Sequence, residues 1–273
     1  MNVRCITPVD GTVFAERPTA TDAGIDAAFT AAARAQREWA GLSISDRAVL
    51  VSGMVDAMLG MRDDITTELA WLMGRPVQFG GGELNGFEER ARFMIELAES
   101  ALAPVVPLER AGFTRFISRE PLGTVFVIAP WNYPYLTAVN SVVPALMAGN
   151  AVILKHAAQT LLVAERFQQA SDTAGLPAGL FQHLYLSHDQ TGKILASGIA
   201  DQVNFTGSVD AGREIERSAA GTFMGVGLEL GGKDPAYVMP DANLDAAVAS
   251  LVDGSFFNSG QCCCAIERIY VLE

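Results

Sequence analysis

The sequence predicts a doubly wound α/β fold, and three observations support that prediction. Between residues 121 and 220, short apolar runs of strand length alternate with segments whose apolar residues recur at helical spacing. The strand-length runs are apolar throughout, as is usual when helices cover both faces of a parallel sheet. Half of the 273 residues are hydrophobic and 18% are charged, so the chain can bury a large core. We therefore expect a Rossmann-like α/β domain.

The first hundred residues predict helices. Thr21 is suited to cap a helix that continues through 26–40, and a second helix is expected over about 45–60. A third helix is expected over 87–103, where apolar residues again recur at helical spacing. The glycine-rich segment GGGELNG at 80–86 predicts a break or flexible turn before that helix, because glycine is a weak helix former.

Residues 104–120 differ in character from the segments on either side. Two short β-prone runs flank a turn at Arg110, Ala111 and Gly112, which predicts a hairpin arm. A hairpin of this length, outside the alternating pattern, more often pairs with another chain or domain than packs alone. We therefore expect this arm to pair with another chain or domain, and we expect the protein, when full length, to be a homo-oligomer, either a dimer or a tetramer.

From residue 121 each strand is followed by a helix, in the order that a doubly wound sheet requires. Strands are expected over 124–130, 150–157, 181–187 and 202–207. Helices are expected over 134–149, 160–175, 190–198 and 209–221. A glycine-rich stretch at 224–239 then leads into a further α/β segment, which includes the cysteines at 262–264 and ends in a β-like run at 267–273.

The composition excludes several classes of partner. There are 19 Lys and Arg residues against 31 Asp and Glu, a net charge of −12, whereas nucleic acids and anionic membranes require a basic face. No run reaches the ~18 apolar residues of a membrane span, and the start of the chain lacks the apolar centre of a secretory signal. Four cysteines, three of them adjacent, are a poor disulfide framework. We expect a soluble, cytoplasmic protein with reduced thiols.

The run NSGQCCCA at 258–265 places Cys262, Cys263 and Cys264 side by side. Three consecutive residues do not converge on one metal ion, and the chain has only three histidines, so no metal site is expected. A disulfide between neighbouring residues is strained. Adjacent side chains diverge, so at most one sulfur faces a given site, and we expect the other two to be inert packing neighbours.

Two polar residues elsewhere are suited to assist a reactive thiol. Asn132 follows an expected strand, where α/β ligand sites form, and its amide can donate to an oxyanion; the alternative is a turn-capping role. Glu229 lies in an apolar, glycine-rich setting, where burial would suit it to act as a general base; the alternative is an ion pair with Lys233.

Two further segments are suited to a nucleotide, although the GxGxxG fingerprint is absent. Phe205-Thr206-Gly207-Ser208 ends a strand and opens a helix, whose N-terminus would suit a pyrophosphate, or else Ser208 is an ordinary cap. Lys155 ends a buried strand, where it either binds a nucleotide hydroxyl or phosphate or extends its ammonium group to water.

The order and spacing of these motifs together resemble the aldehyde dehydrogenase superfamily. The resemblance spans the whole chain, and the separation between Glu229 and Cys263 fits the family. The motifs are PWN at 130–132, LK at 154–155, FTGS at 205–208 with Gly212, LELGGK at 228–233 and FFNSGQCCCA at 256–265.

The resemblance implies an enzyme that oxidises an aldehyde to a carboxylic acid with NAD or NADP. It assigns Cys263 as the nucleophile, which forms a thiohemiacetal and then a thioester. Asn132 and the Cys263 N–H are the implied oxyanion donors, and Glu229 is the implied base for hydrolysis. The residues implied to contact the cofactor are Ile128, Ala129, Pro130, Trp131, Lys155, Gly207, Ser208 and Gly212.

Three departures from the family pattern qualify this assignment. Many NAD-preferring members have Glu where this chain has Ala158, and losing that carboxylate removes repulsion against a 2′-phosphate, so we expect NADP to be accepted. The segment 187–189 replaces a glycine-rich turn that the family often has, which puts the adenine-side contacts in doubt. Family members are also much longer, so we expect the chain to be a fragment that is inactive or poorly folded alone.

We divide the chain into a dinucleotide-binding domain over 1–231, which includes the arm at 104–120, and the incomplete start of a catalytic domain over 232–273. Three alternatives remain open. One is a CoA-acylating aldehyde dehydrogenase, which does not need Glu229 as a base for water. The second is a cysteine hydrolase, which needs a positioned histidine. The third is a truncated, non-catalytic NAD(P)-binding module.

Overall fold

The computed structural model describes residues 1–272, and from residue 121 its strands and helices alternate as the sequence predicts. The strands are β1 (Asn2–Ile6), β2 (Val13–Pro18), β3 (Thr124–Ala129), β4 (Ala151–His156), β5 (Phe181–His183), β6 (Gln202–Gly207), β7 (Gly225–Leu230), β8 (Asp234–Val238) and β9 (Ile266–Val271). The helices are α1 (Asp22–Ala40), α2 (Ile44–Gly60), α3 (Arg62–Met73), α4 (Val77–Ala101), α5 (Pro134–Met147), α6 (Leu162–Thr173), α7 (His188–Ser197), α8 (Val209–Ala219) and α9 (Leu244–Phe256).

The central sheet has five parallel strands in the order β5-β4-β3-β6-β7. The chain runs outward from β3 to β4 and β5, and then returns to β6 on the other side of β3. The connection that leaves β3 leads to β4 on one side, and the connection that leaves β6 leads to β7 on the other side, which creates a crevice at the carboxyl ends of β3 and β6. The predicted doubly wound α/β fold is confirmed.

Helices cover both faces of the middle of the sheet. All six residues of β3 are buried, and α1 packs across β3 and β4 while α5 and α6 pack on the same strands and β5. On the α1 side, the rings of Phe29 and Phe126 are 6.2 Å apart. Elsewhere in the core, Phe167 of α6 packs against three aromatic rings, those of Phe87, Tyr135 and Phe181. This continuous core explains why β3 and most of β4 are apolar.

The expected break at 80–86 is wrong, because α4 runs through the glycines without interruption. A Cβ added to Gly80 would lie 2.6 Å from Cγ2 of Thr66 on α3, and one added to Gly86 would lie 3.2 Å from Leu136 on α5. These two glycines therefore allow neighbouring helices to approach α4 closely. Packing outweighs the low helix propensity of glycine here.

Helix α3 was not expected from the sequence, whereas α1 was. Thr21 caps α1 as predicted, since its side chain accepts a hydrogen bond from the N–H of Gly24 at 3.1 Å. Helix α3 has no side-chain cap at its start, which follows α2 after a single residue, Met61. The signals that separate α2 from α3 in the sequence are Gly60 at the end of α2 and the acidic residues Asp63 and Asp64 in the first turn of α3.

The arm at 104–120 forms a looser structure than the predicted hairpin. Its two sides meet at two isolated bridges, Val105 to Ile117 and Arg110 to Phe113, rather than along paired strands. The expected turn is present, with Gly112 at a φ of 80°. All residues of the arm except Pro107 are exposed, so the arm packs little against the rest of the described chain.

Two small sheets accompany the central one: β1 and β2 pair antiparallel, and β8 and β9 pair in parallel. Strand β9 confirms the predicted β-like run, whose last residue, Glu273, lies outside the described residues. The last strand of the central sheet, β7, ends at Leu230, and β8 begins at Asp234, so the expected division at 231/232 falls between the two sheets. The division into domains stays a prediction. Among residues 1–272, no helix is long and apolar enough to cross a membrane.

Candidate active site

Most of the candidate residues lie at one edge of the five-stranded sheet. Lys155 of β4 is in register with Ile128 of β3, and Glu229 of β7 is in register with Thr206 of β6. Because all five strands are parallel, their carboxyl ends meet at this edge, next to the crevice between β3 and β6. The fold therefore brings to a single edge residues that are far apart in the sequence.

The residues after β3 change from buried to exposed within a short distance. Ile128, Ala129 and Pro130 are buried, whereas the indole of Trp131 is 42% exposed. These four residues lie at the carboxyl end of β3, beside the crevice. Whether these four residues contact a cofactor stays a prediction.

Helix α8 begins directly at the crevice. Ser208 is its N-cap, and the Ser208 side chain accepts a hydrogen bond from the N–H of Ala211 at 3.3 Å. A Cβ added to Gly212 would lie 2.7 Å from Leu230, so Gly212 allows α8 to pack closely on β7. The structure thus shows the cap that the sequence analysis kept as an alternative, and a packing role for Gly212. Both are compatible with the predicted cofactor contacts of Gly207, Ser208 and Gly212.

Lys155 is an unusual lysine because it lies within the sheet. Burial lowers the pKa of its ammonium group, and among residues 1–272 that group forms no ion pair. A buried cation without a protein partner is costly unless a ligand or water satisfies it. Lys155 is therefore suited to bind a polar group of a ligand at the sheet edge.

A cavity of about 510 Å³ lies between α5, strands β6 and β7, and residues 258–265, which we call the cysteine run. Cys263 and Glu229 both face it, so the structure brings the predicted nucleophile and the predicted base to one space. Asn132 and Lys155 lie outside its wall. The lining residues are Thr137, Asn140, Ser141, Asn204, Phe205, Thr206, Gly227, Leu228, Glu229, Leu230 and Cys263.

The segment before Cys263 has an uncommon backbone conformation. Asn258 and Ser259 have φ values of 50° and 59°, in the left-handed region that residues other than glycine seldom adopt. Beyond them, the Cys263 carbonyl accepts a hydrogen bond from the N–H of Gly232 at 3.1 Å, which ties the cysteine run to the segment after β7. Such a backbone persists only when surrounding contacts hold it.

The three cysteines have different environments. The sulfurs of Cys262 and Cys264 are 3.3 Å apart, while Cys263 is the one that faces the cavity. The Cys262 thiol, with a smaller contribution from burial, raises the pKa of the Cys264 thiol to about 11. Cys264 is exposed and Cys262 is half-buried, so the expectation that both are packing neighbours is wrong for Cys264.

Asn132 is bound to the cysteine run by its own side chain. Its Nδ2 donates to the carbonyl of Gln261 at 3.0 Å, two residues before Cys263. A primary amide has two N–H donors, so one remains for another acceptor. The turn-capping alternative does not describe this residue, because the contact joins it to a distant part of the chain.

The environment of Glu229 differs from the one that the sequence predicts. Its side chain is exposed at the cavity, so the expectation of burial is wrong. The alternative ion pair is also not formed, since Lys233 binds Glu267 of β9 instead. Leu228 and Leu230, on either side of Glu229 in β7, are half-buried. Successive side chains of a strand point to opposite faces, so the Glu229 carboxylate lies on the exposed face.

Two charged residues near this site were not singled out from the sequence. Arg75 and Glu83 form a buried ion pair, and Arg75 also donates to the carbonyl of Asn132 at 3.0 Å. In the sequence, the available signal was two opposite charges flanking the otherwise uncharged stretch PVQFGGG. That pattern is also common on exposed helices, so it does not by itself indicate a site.

Comparison with known proteins identifies the family. The profile of the aldehyde dehydrogenase family matches residues 1–273. The chain belongs to the aldehyde dehydrogenase family. It is 37% identical over 268 residues to a 3,6-anhydro-alpha-L-galactose dehydrogenase of Streptomyces coelicolor, an alignment that covers 97% of this chain and 54% of that enzyme. The chain thus spans about half the length of this curated relative.

Solved structures of similar proteins have the same fold. A 3,6-anhydro-L-galactose dehydrogenase in complex with NADP superposes with a TM-score of 0.93 at 27% identity, over 99% of this chain and 57% of that one. PnpE in complex with nicotinamide adenine dinucleotide superposes with a TM-score of 0.94 at 27% identity, over 100% of this chain and 56% of that one. The fold of this chain is therefore the one that these two solved structures share over somewhat more than half of their own length.

The segment at 187–189 has a clear local role in this aldehyde dehydrogenase chain. Ser187 caps α7 by accepting from the N–H of Gln190 at 3.1 Å, and the Gln190 side chain accepts in return from the N–H of Ser187 at 3.0 Å. This reciprocal capping box satisfies two N–H groups at the helix start. The departure from a glycine-rich turn thus produces a well-defined helix N-terminus.

Proposed function

We propose that this chain forms the cofactor-binding and nucleophile-bearing part of an NAD(P)-dependent aldehyde dehydrogenase that produces a carboxylic acid. The observation that supports the proposal best is the cavity shared by Cys263 and Glu229, at the sheet edge where α8 begins. The aldehyde is a small-molecule substrate. Membership of the aldehyde dehydrogenase family supports the same reaction class.

The residues at the crevice suit a dinucleotide. The N-terminus of α8 directs N–H groups and positive dipole toward the sheet edge, where a pyrophosphate would lie against Gly207 and Ser208. Lys155 offers a buried ammonium without an ion-pair partner in the described chain, which suits a ribose hydroxyl or phosphate. Relatives solved with NADP and with NAD support either cofactor. When bound, the nicotinamide supplies the acceptor for the aldehyde hydride.

Cys263 is the proposed nucleophile. Its thiolate attacks the aldehyde carbon, and the oxygen that becomes negatively charged accepts hydrogen bonds from the free Asn132 N–H and the Cys263 N–H. Within residues 1–272 the Cys263 N–H makes no backbone hydrogen bond, so it is available for this role. The thiohemiacetal loses hydride and becomes a thioester on Cys263.

Glu229 is the proposed base for the second half of the reaction. Its carboxylate takes a proton from water, the resulting hydroxide attacks the thioester carbon, and the carboxylic acid leaves as the Cys263 thiolate is restored. Because Glu229 is exposed at the cavity rather than buried, water reaches it directly. This position favours hydrolysis over transfer to CoA.

Replacement of the three thiols, each made in the full-length enzyme, tests the proposal. Cys263→Ser should abolish cofactor reduction with a panel of aldehydes, whereas Cys262→Ser and Cys264→Ser should retain much of it. Formation of an acyl-CoA instead of a carboxylic acid, when CoA is present, would favour the CoA-acylating alternative. Cofactor binding without turnover of any aldehyde would favour the non-catalytic module, and full activity of Cys263→Ser would contradict the assignment of the nucleophile.

We further propose that NADP is accepted at least comparably to NAD. The exposed Ala158 stands where many NAD-preferring members have Glu, so no carboxylate there repels a 2′-phosphate. Steady-state kinetics with both cofactors test this, and a strong preference for NAD would contradict it. Ala158→Glu should shift the ratio of the two kcat/KM values toward NAD.

The protein is also proposed to form a homo-oligomer through the arm at 104–120. Apolar side chains of the arm are largely exposed, with Val106 at 74%, Leu108 at 90% and Phe116 at 63%. Exposed apolar surface of this kind marks interaction sites. Phe116→Glu should lower the molar mass measured by light scattering, and an unchanged mass would indicate that the arm is not at an interface.

A further inference from the structure

A buried ion pair connects three segments of the candidate active site. Gly74 ends α3 with a φ of 77° and Pro76 precedes α4, so Arg75 occupies a fixed corner between the two helices. The Arg75 side chain is 5% exposed, and its guanidinium group pairs with the fully buried carboxylate of Glu83. A charge pair this deeply buried requires further hydrogen bonds to offset the loss of hydration.

Arg75 obtains these bonds from the two backbone turns around the nucleophile. One guanidinium nitrogen donates to the Asn132 carbonyl at 3.0 Å, and Nε donates to Oδ1 of Asn258 at 3.0 Å. Asn258 in turn donates through Nδ2 to the Asn132 carbonyl at 3.0 Å. A single side chain therefore holds the turn of the oxyanion donor against the strained turn that precedes Cys263.

Glu83 fixes the other side of the same turn. Its Oε1 accepts hydrogen bonds from the N–H groups of Tyr135 at 2.9 Å and Leu136 at 3.0 Å, which belong to the first turn of α5. Helix α5 has no side-chain cap of its own, so a carboxylate from α4 supplies the cap. Glu83 thereby fixes the start of α5, two residues after Asn132.

Aromatic contacts complete the connection between the two turns. The guanidinium of Arg75 lies 5.0 Å from the centroid of the Tyr133 ring, and that ring stacks on Phe257 at 6.1 Å. Phe257 immediately precedes the strained Asn258. The rings and hydrogen bonds together hold residues 257–261 against residues 132–133.

We propose that Arg75 and Glu83 are positioning residues, which place the Asn132 amide relative to Cys263. The Asn132 Nδ2 bonds to the carbonyl of Gln261, two residues before the thiol, so a displacement of either turn changes the distance between the oxyanion donor and the nucleophile. This inference rests on the proposed function, in which Asn132 and Cys263 act on the same carbonyl group.

Two reactions of Cys263 that need no cofactor separate positioning from folding. In acylation by 4-nitrophenyl acetate, the thiolate attacks the ester carbonyl, 4-nitrophenolate leaves, and the intermediate requires an oxyanion donor. In alkylation by iodoacetamide, the thiolate displaces iodide and no oxyanion forms. Both are measured in a Cys262→Ser, Cys264→Ser background, since Cys5 is buried and slow to react.

The test variant is Arg75→Met combined with Glu83→Gln. It removes both charges, so no unpaired buried charge remains, and the glutamine oxygen still accepts from the first turn of α5. Acylation should fall about tenfold through loss of oxyanion stabilisation. Alkylation should change less than about twofold, because the thiol itself stays in place. An equal fall in both reactions would overturn the proposal.

Two controls make the result specific. The pair Arg166→Met with Glu68→Gln removes a partly buried ion pair between α6 and α3, and should leave both reactions unchanged. In an Asn132→Ala background, the Arg75 and Glu83 substitutions should add little further loss, because they act through Asn132. A full, additive loss in that background would also overturn the proposal.

These measurements are independent of the proposed reaction. If no aldehyde is oxidised, acylation and alkylation still report how Cys263 and Asn132 are placed. If Cys263→Ser abolishes aldehyde oxidation but the Arg75 and Glu83 variant acylates normally, the proposed function stands and the positioning role fails.

Discussion

Residues 121–231 and residues 232–272 meet at the cavity, yet they bury their apolar side chains to very different extents. In the first region, all six residues of β3 are buried. In the second, α9 has no buried residue in the described structure, and the buried hydrophobic side chains are Val238 and Ala265. The sheet region is thus stabilised by a core that it shares with α1 and α4, whereas the cysteine run at 258–265 is held in place by contacts with Arg75, Asn132 and Gly232.

The largest effect is expected when one aromatic ring is removed from each region and the two changes in the free energy of unfolding are compared. Phe167→Ala should lower the free energy of unfolding by about 3–5 kcal/mol, because Phe167 is fully buried against three rings. Phe256→Ala in α9 should change it by less than about 0.5 kcal/mol, since Phe256 is 71% exposed. Urea unfolding followed by circular dichroism measures both, and similar costs would show that the two regions are equally well packed.

The pH dependence of the free energy of unfolding tests how deeply the sheet region buries His156. Burial lowers the pKa of His156 to about 4, and the neutral ring hydrogen-bonds to the carbonyl of Pro134 at 3.1 Å. The unfolded chain binds this proton more readily, so stability is lost as the pH falls from about 6.5 to about 4, by roughly 2 kcal/mol at pH 5.

His156→Gln should remove that part of the pH dependence, measured by urea unfolding at neutral pH and near pH 5. The matched control is His188→Gln, at an exposed position on α7. This control should keep the pH dependence of the unmodified protein. If His156→Gln leaves the difference between the two pH values unchanged, the ring is not buried in its neutral form.

Glycine substitutions in α4 distinguish packing from helix propensity, with smaller expected effects. Gly80→Ala should lower the free energy of unfolding by about 1 kcal/mol, because the new Cβ meets Thr66. Gly82→Ala should raise it by roughly 0.5–1 kcal/mol, because no heavy atom lies within 4 Å of its new Cβ. If both substitutions stabilise the protein, α3 and α4 are less closely packed than described.

The smallest expected effect concerns the two thiols that lie outside the cavity. Removing the Cys262 thiol removes the largest cause of the raised pKa of Cys264, so Cys262→Ser should increase the alkylation rate of Cys264 a few-fold at mildly alkaline pH. Mass spectrometry of the alkylated peptide measures this rate. A slower rate would show that the two thiols do not interact in solution.

Much of the fold was predictable because it depends on local patterns. The apolar runs of β3 and β4 and the capping residue Thr21 each indicate an element without reference to the rest of the chain. The break predicted at 80–86 was wrong because glycine was judged by its helix propensity alone. Thr66 and Leu136, which make glycine necessary there, come from other helices and are not visible in the local sequence.

The candidate site was predictable in part for a similar reason. The motifs around Cys263 and Glu229 identify these two residues as candidate catalytic groups. The exposure of Glu229 depends instead on which face of β7 is left uncovered in the folded chain. The sequence did not reveal the roles of Arg75 and Glu83, because their hydrogen-bond partners are distant in the chain. These partners are Asn132, Asn258 and the first turn of α5. A contact between remote segments leaves no periodic signal.

By itself, the sequence determined the order of strands and helices from 121 onward, the family, and the residue type of each candidate catalytic group. Only the tertiary structure decided that Cys263 and Glu229 share a cavity, that Cys262 and Cys264 face each other, and that Arg75 joins the two turns of the site. The physical reason is that propensity and apolar periodicity act over a few neighbouring residues. Hydrogen bonds, burial and close packing depend instead on which segments the folded chain brings together.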